Sequence, residues 1–249
     1  MNEQKFTTYI FDLDGTLTPS KSPIQPDMLA VFCRLLQTVK SVAVISGGNF
    51  EQFQTQLLSH LLCPSENLYL LPTSGSQLLH FQNQNWSKIY AQQLSPEEKK
   101  TIIQAIEEAL QESGVDISKP SYGSRIEDRK SQITFSGLGQ DAPLEEKTKW
   151  DPDQSKRKSI VSILQKKIPQ FQISMGGTSS IDITQKRIDK QYGVERFLEY
   201  VGAEKSEAIF FGDALFEGGN DEPVIRTGIH TVAVDSPEQL LQKLEKYAL

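Results

Sequence analysis

Residues 9–18 read YIFDLDGTLT, an apolar segment that runs straight into two carboxylates, Asp12 and Asp14, one residue apart. At the end of a buried strand these like charges repel each other, and desolvating either one is costly. Such a pair implies a cation between them or a reaction that uses them. A calcium loop of the EF-hand type counted from Asp12 needs glycine at its sixth position and glutamate at its twelfth. This chain has Leu17 and Pro23 there, so that reading fails. The alternative sets the motif at the C-terminal end of a parallel strand, where open α/β sheets keep their active sites. Asp12 would then attack phosphorus as a carboxylate nucleophile while Asp14 points toward the leaving oxygen. Mg²⁺, which favours oxygen ligands and commonly takes one or two carboxylates, would relieve the repulsion.

The segments around the motif fit a parallel sheet. After the strand TTYIFDLD, residues Met28, Leu29, Val31, Phe32, Leu35, Leu36 and Val39 recur at helical spacing, and SVAVIS (41–46) reads as a second strand. A helix is expected over about 50–62, with Phe50, Phe53, Leu57 and Leu61 on one face. The C-terminal third repeats the pattern: a helix over 190–201, strands AIFFGD (208–213) and HTVAVD (230–235), and a last helix opening at Ser236-Pro237-Glu238-Gln239. This alternation predicts one α/β domain with crossover helices, split between the two ends of the chain.

The middle differs. Ser95-Pro96-Glu97-Glu98 is a capping box, opening a helix with Ile102, Ile103, Ile106, Ala109 and Leu110 on one stripe and Gly114 as its stop. Hairpin-like segments lie around it at 76–92, 125–137 and 171–184, and a second helix is expected over about 153–167. Sequential hairpins with two helices predict an α+β insert, so the expected division is 1–83 with 186–249 for the core and 84–185 for the insert.

Further candidates fall at strand ends and helix starts. Ser46 and Gly47 follow the second strand, where a hydroxyl and backbone N–H groups suit a phosphate, although Ser46 also suits a helix N-cap. Lys190 opens a helix, where it would neutralise a phosphoryl group in transfer. The segment FFGDALFEGGND carries Asp213 and, eight residues later, Asp221. Asp213 suits a hard cation; Asp221 is read either as a ligand or as the carboxylate that orders the Gly218-Gly219 turn. His60, His80 and His230 show no paired ligand spacing.

Composition excludes several classes. The 249 residues carry a net charge of −6 with 37% hydrophobic and 23% charged residues, and no basic block marks a nucleic-acid or membrane surface. The N-terminus has no leader signal and no apolar run spans a bilayer, so a cytoplasmic protein is expected. Cys33 and Cys63 lack C-x-x-C spacing and are expected as buried free thiols in a reducing compartment, a disulfide being the lesser reading.

Taken in order, Asp12-Leu13-Asp14-Gly15-Thr16, Ser46, Lys190 and Gly212-Asp213 with Asp221 resemble the four motifs of the haloacid dehalogenase (HAD) superfamily. Across the whole chain, DGTLTPS, GGNFEQFQTQL, MGGTSSID, IDKQYGV and FFGDALFEGGND are similar to segments of the eukaryotic-type phosphomannomutases. The resemblance implies a HAD (Rossmann-like) α/β parallel-sheet core with an inserted α+β cap that closes on a sugar phosphate. It further implies that Asp12 is phosphorylated and binds Mg²⁺, that Asp14 acts as general acid and base and lends a backbone carbonyl to the metal, and that Asp213 is a further ligand. Ser180 and Asp182 match positions that touch sugar hydroxyls, and a hexose 1,6-bisphosphate is the implied activator. The family grips the distal phosphate with arginines. This chain aligns Arg129 with one, but Gln140, Lys147 and Lys21 with others, so part of the bidentate grip is missing. Arg129 also reads as a cross-strand partner of nearby acids, and Lys147 and Lys21, taken singly, as solvated. Two enzymatic readings stay open, a mutase and a sugar-phosphate phosphatase, beside a non-enzymatic HAD-fold binding protein. Family members often pair through their caps, although no exposed stripe here requires a homodimer.

Overall fold

The computed structural model describes residues 6–63 and 66–247; residues 1–5, where the leader was sought, lie outside them. In chain order the elements are β1 (Thr8–Asp12), α1 (Pro26–Thr38), β2 (Ser41–Ile45), α2 (Phe50–Gln56), β3 (Leu68–Leu71), β4 (Gln77–Gln82), β5 (Asn85–Ala91), α3 (Pro96–Ser113), β6 (Ile126–Asp128) and β7 (Gln132–Ser136). There follow α4 (Leu144–Trp150), α5 (Ser155–Lys167), β8 (Phe171–Gly176), β9 (Ser180–Gln185), α6 (Lys190–Val201), β10 (Ala208–Gly212), α7 (Glu222–Ile225), β11 (His230–Ala233) and α8 (Pro237–Tyr247).

The chain divides into two compact units, residues 1–91, 190–217 and 221–249 forming one and residues 92–189 with 218–220 the other. The first holds a seven-stranded sheet in the order β11-β10-β1-β2-β3-β4-β5. From β11 to β3 the strands are parallel, with Ile10 level with Phe210 on one side and Ala43 on the other. Alternation along β1 sends Tyr9 and Phe11 to a core with Phe32, Leu35, Phe53, Phe211 and Leu240, and Ile10 to a second core with Ile45, Val194, Phe197 and Phe210. Both faces are covered, which is why these strands read as continuous apolar runs.

Two expectations shift. The hairpin of β4 and β5 turns at Asn83-Gln84, both left-handed, and extends the sheet of the first unit by antiparallel pairing, so it belongs there and the boundary falls after Ala91 rather than 83. The helix expected over 50–62 stops at Gln56, because Leu57 leaves helical geometry and a short 3-10 turn, Leu58–His60, follows.

The cysteine expectation is corrected: Cys33 on α1 and Cys63 form a disulfide across a sequence separation of 30, with Cα atoms 5.7 Å apart. Sequence spacing could not reveal it, because the pairing depends on how α1 packs beside the end of the α2 segment. The bridge encloses β2 and α2. Closing a loop of that length is worth about 3–4 kcal/mol of stability in the chain-entropy account. Reduction, or Cys33→Ser, is expected to lower the melting temperature by about 6–12 °C for a chain of this size, read by calorimetry with and without dithiothreitol.

The second unit is a four-stranded antiparallel sheet, β6-β7-β9-β8, with α3 and α5 packed on it over Ile102, Ile106, Phe135, Ile160, Leu164, Ile181 and Ile183. The Ser95 capping box forms as expected, with Ser95 Oγ accepting from Glu98 N and Glu98 Oε2 from Ser95 N. At α8 Ser236 Oγ accepts from Gln239 N at 3.4 Å, while Gln239 Oε1 accepts from Asp235 N at 3.1 Å. The sequence reading missed α4, whose cues were Pro143 before the first turn, acids at Glu145 and Glu146, and lysines near its end.

Candidate active site

At the C-terminal end of β1, Asp12 is buried, and the chain then turns through Leu13–Thr18 with Gly15 N donating to Thr18 O and Thr18 N to Leu13 O. Gly15 has φ +85°, and a Cβ there would collide with the Asp213 carboxylate, so this position needs glycine on both counts. β10, hydrogen-bonded beside β1, ends at Gly212 and delivers Asp213 next to the motif. α6 delivers Lys190. That helix approaches the turn at Gly75 so closely that a Cβ on Gly75 would lie 2.5 Å from the Gly193 Cα, and Lys190 is seated one turn earlier.

Oxygens of Asp12, Asp213 and Asp221 come within 4.8 Å of one another. Lys190 Nζ donates to Asp12 Oδ1 and Asp221 Oδ1, each at 2.5 Å, and all three groups are buried. Asp221 Oδ2 accepts from Ala214 N at 3.0 Å, so both its oxygens hold neighbouring groups in place. Burial first, then the charges of Asp221 and Asp213, push the Asp12 carboxyl well above the usual carboxylate range, against the pull of Lys190. Burial alone would lower the Lys190 pKa, yet Asp12 and Asp221 together outweigh it and raise it, so the ammonium stays charged. Asp213 is exposed at its rim, but the protein crowds the rest of it; desolvation and then Asp221 push its pKa up to about 6. The cluster has three carboxylates to one ammonium. This hard-oxygen donor set with an unbalanced charge suits a divalent cation such as Mg²⁺.

Asp14 takes no part in the three-carboxylate cluster. Its oxygens accept from Gln52 Nε2, Gln56 Nε2 and the backbone N–H of Lys21. Ser46 stands just after β2, its Oγ accepting from Gly48 N at 3.0 Å and its carbonyl from Ser74 N at 2.8 Å, with Gly47 following. Helix α2 is capped by Asn49, whose side chain accepts from Gln52 N, and not by Ser46. Lys21 is exposed with φ +53°.

In the second unit, Arg129 donates through Nε and Nη2 to Glu127 Oε2 at 3.0 and 2.7 Å, and through Nη2 to Gln140 Oε1 at 3.4 Å. Lys147 is buried, not solvated, and donates to the Gln140 carbonyl at 2.9 Å. These three positions are therefore neighbours. Asp182 is buried with Oδ1 accepting from Thr134 Oγ1 at 2.8 Å, and Ser180 lies two residues before it on β9. The turn before Ser180 is tied down by Arg157, which donates to the Gly177 carbonyl at 2.7 Å and to Asp151 Oδ2 at 2.8 Å. Sequence reading passed over Gln52, Gln56, Thr134 and Arg157. For Gln52, Gln56 and Arg157, a polar residue on a helix gives the same signal whether it faces solvent or a carboxylate.

Among the described residues no helix is long and apolar enough to cross a membrane. The family model for eukaryotic phosphomannomutase matches residues 28–248. Phosphomannomutase from Spinacia oleracea is 32% identical over 244 residues, covering 94% of this chain and 92% of its own length. The Schizosaccharomyces pombe phosphomannomutase is 27% identical, with 99% and 96% covered. Among solved structures, N-terminally truncated Plasmodium falciparum IMP-nucleotidase aligns with a TM-score of 0.75 at 16% identity, over 99% of this chain and 71% of that one. A haloacid dehalogenase-like hydrolase from Bacteroides thetaiotaomicron aligns at 0.62 and 15% identity, over 97% and 99%. The structural likeness concerns the fold, which is that of the HAD hydrolases.

Proposed function

The chain belongs to the eukaryotic phosphomannomutase family, and from that footing we propose that it interconverts a hexose 6-phosphate and a hexose 1-phosphate through phospho-Asp12. It is an enzyme of the HAD phosphotransferase type, acting on sugar phosphates. The observation that carries the mechanism is the buried Asp12–Lys190–Asp221 chain beside Asp213, at adjacent parallel strand ends.

In this reading an Asp12 oxygen forms the bond to phosphorus as the bond to the sugar oxygen breaks, and Asp14 gives that oxygen its proton. Lys190 holds Asp12 in place and offsets charge on the transferring group. Ser46 and Gly47 offer a hydroxyl and a backbone N–H to the phosphoryl oxygens. Asp12, Asp213 and the Asp14 carbonyl would hold Mg²⁺, which when bound supplies charge neutralisation at the phosphoryl oxygens. Asp221 acts through Lys190 and the Ala214 N–H. The second unit is proposed to recognise the sugar through Ser180 and Asp182, and a phosphate through Lys147 and Arg129; Lys21, in the first unit, is a separate proposed phosphate contact.

The pairing of Arg129 with Glu127 beside the neutral Gln140 supports a second reading. A mutase must retain a bisphosphate intermediate, and these residues present less surplus positive charge than that task favours, so the alternative is a phosphatase in which water attacks phospho-Asp12. A phosphorus NMR time course with Mg²⁺ and mannose 1-phosphate, with and without glucose 1,6-bisphosphate, separates them. The mutase reading expects a growing 6-phosphate signal that depends on the bisphosphate. Growth of inorganic phosphate alone would replace it with the phosphatase.

A further inference from the structure

Asp14 is gripped by more groups than a surface carboxylate in a turn requires. Gln52 and Gln56 lie one turn apart on α2, and each aims its side-chain amide at a different oxygen of Asp14: Gln52 Nε2 at Oδ2, 2.5 Å, and Gln56 Nε2 at Oδ1, 3.1 Å. The Lys21 backbone N–H adds a third donor to Oδ1 at 2.6 Å. Gln56 is itself buried and fixed, its two N–H bonds shared between Asp14, Thr18 Oγ1 at 2.9 Å and the Ser22 carbonyl at 3.2 Å. Gln52 is set from behind: its carboxamide oxygen lies where a Cβ on Gly48 would be, and its backbone N–H donates to the Asn49 side chain at 3.0 Å.

Together the three donors determine the rotamer of the Asp14 carboxylate. Donors on both oxygens fix the plane of the carboxyl group; Oδ1 accepts two of them, while Oδ2 accepts one and keeps a second lone pair able to hold a proton. We propose that Gln52 and Gln56 are positioning residues that aim Asp14 at the sugar oxygen entering or leaving the phosphoryl group. The proposal rests on the reading of Asp14 as proton donor and acceptor. In the first half-reaction, bond formation from Asp12 to phosphorus and cleavage of the phosphorus–oxygen bond are matched by transfer of the Asp14 proton to the departing sugar oxygen. A sugar alkoxide needs that proton; a nitrophenolate does not. A misaimed Asp14 therefore slows the sugar substrate alone, since displacement by about 1 Å is enough to cost on the order of 100-fold.

The test compares first-turnover rates on a hexose 1-phosphate and on p-nitrophenyl phosphate, the latter as the nitrophenolate burst in stopped flow. Gln52 is half-buried and can be changed without opening the core. Gln52→Leu removes the donor, and Gln52→Glu keeps the volume while turning the donor into a like charge. Both are expected to lower the hexose-phosphate rate roughly 10- to 100-fold, Gln52→Glu more, with KM and the nitrophenolate burst within about threefold of wild type. Gly48→Ala, which pushes the Gln52 carboxamide aside, is expected to follow them. A purely structural role would instead spare the isosteric Gln52→Glu or slow both substrates equally, and either result overturns the proposal. Asp14→Asn serves as the control. If it fails to discriminate between the two substrates, the role of Asp14 is wrong and the proposal falls with it. If it discriminates and Gln52→Leu does not, only the positioning role is wrong.

Discussion

Asp12→Asn eliminates turnover of sugar phosphates, by roughly 10⁴-fold or more, while the metal-free protein melts no lower than wild type. The two halves of this expectation come from one site. A neutral amide is a poor nucleophile toward phosphorus and cannot carry the phosphoryl group, so the covalent route closes. For stability the sign runs the other way. Asp12 is buried beside Asp221 and the rim carboxylate of Asp213, with a single ammonium among them, and its carboxyl lies well above the ordinary carboxylate range. A carboxyl whose pKa rises on folding contributes stability below its unfolded value and loses it as pH climbs through the folded value. For Asp213 that window runs from its ordinary 3.8 to about 6. Near neutral pH, with EDTA present, both carboxylates therefore work against folding, and replacing one by an isosteric amide removes a repulsion. Paired melts at pH 7.5, with rates measured on the same samples, check both halves. Retained activity would remove Asp12 as the nucleophile, and a large drop in melting temperature would show that its ion pair with Lys190 outweighs the repulsion.

Much of this site is legible in the sequence because its parts are tied to backbone positions. YIFDLD ends a strand with its acids at the mouth, and FFGD does the same one strand over; apolar runs of that length announce buried parallel strands whatever the order of the sheet. What spacing could not show is how side chains converge from distant elements. Lys190 and Asp12 are 178 residues apart, and the ammonium between two carboxylates depends on the close approach of Gly75 and Gly193. Gln52 and Gln56 carry no signal of their own because a helical pattern records which face is polar and not what lies opposite it. The expected boundary at 83 cut the hairpin of β4 and β5 in two for a related reason. A hairpin signal is local and does not say which sheet the hairpin joins; here β4 pairs with β3, which already belongs to the parallel sheet. The disulfide belongs to the same class, its two cysteines meeting only once α1 has docked.

Lys190→Met tests the site from the side of charge, and its expected effects fall on folding and chemistry together. Lys190 is 1% exposed and donates to two buried carboxylates, so methionine fills the volume and leaves Asp12, Asp213 and Asp221 with no ammonium among them. Removing one partner of a buried ion pair costs about 3–5 kcal/mol, because the remaining charge keeps its desolvation penalty. In EDTA at neutral pH the melting temperature should fall by about 6–15 °C. Lowering the pH toward 5 should restore part of it, since protonating a carboxylate removes the repulsion that the ammonium had offset. Millimolar Mg²⁺ should also restore part, by binding the folded state. Activity should not return with the metal. The ammonium also sits against Asp12, the proposed nucleophile, and losing one charge-stabilising donor from such a centre lowers kcat by roughly 100- to 1,000-fold. Stability recovered by Mg²⁺ without recovery of kcat would separate the two duties of Lys190, one in balancing the buried acids and one in transfer. If kcat recovered with stability, Lys190 would be structural only, and its place in the mechanism would have to be withdrawn.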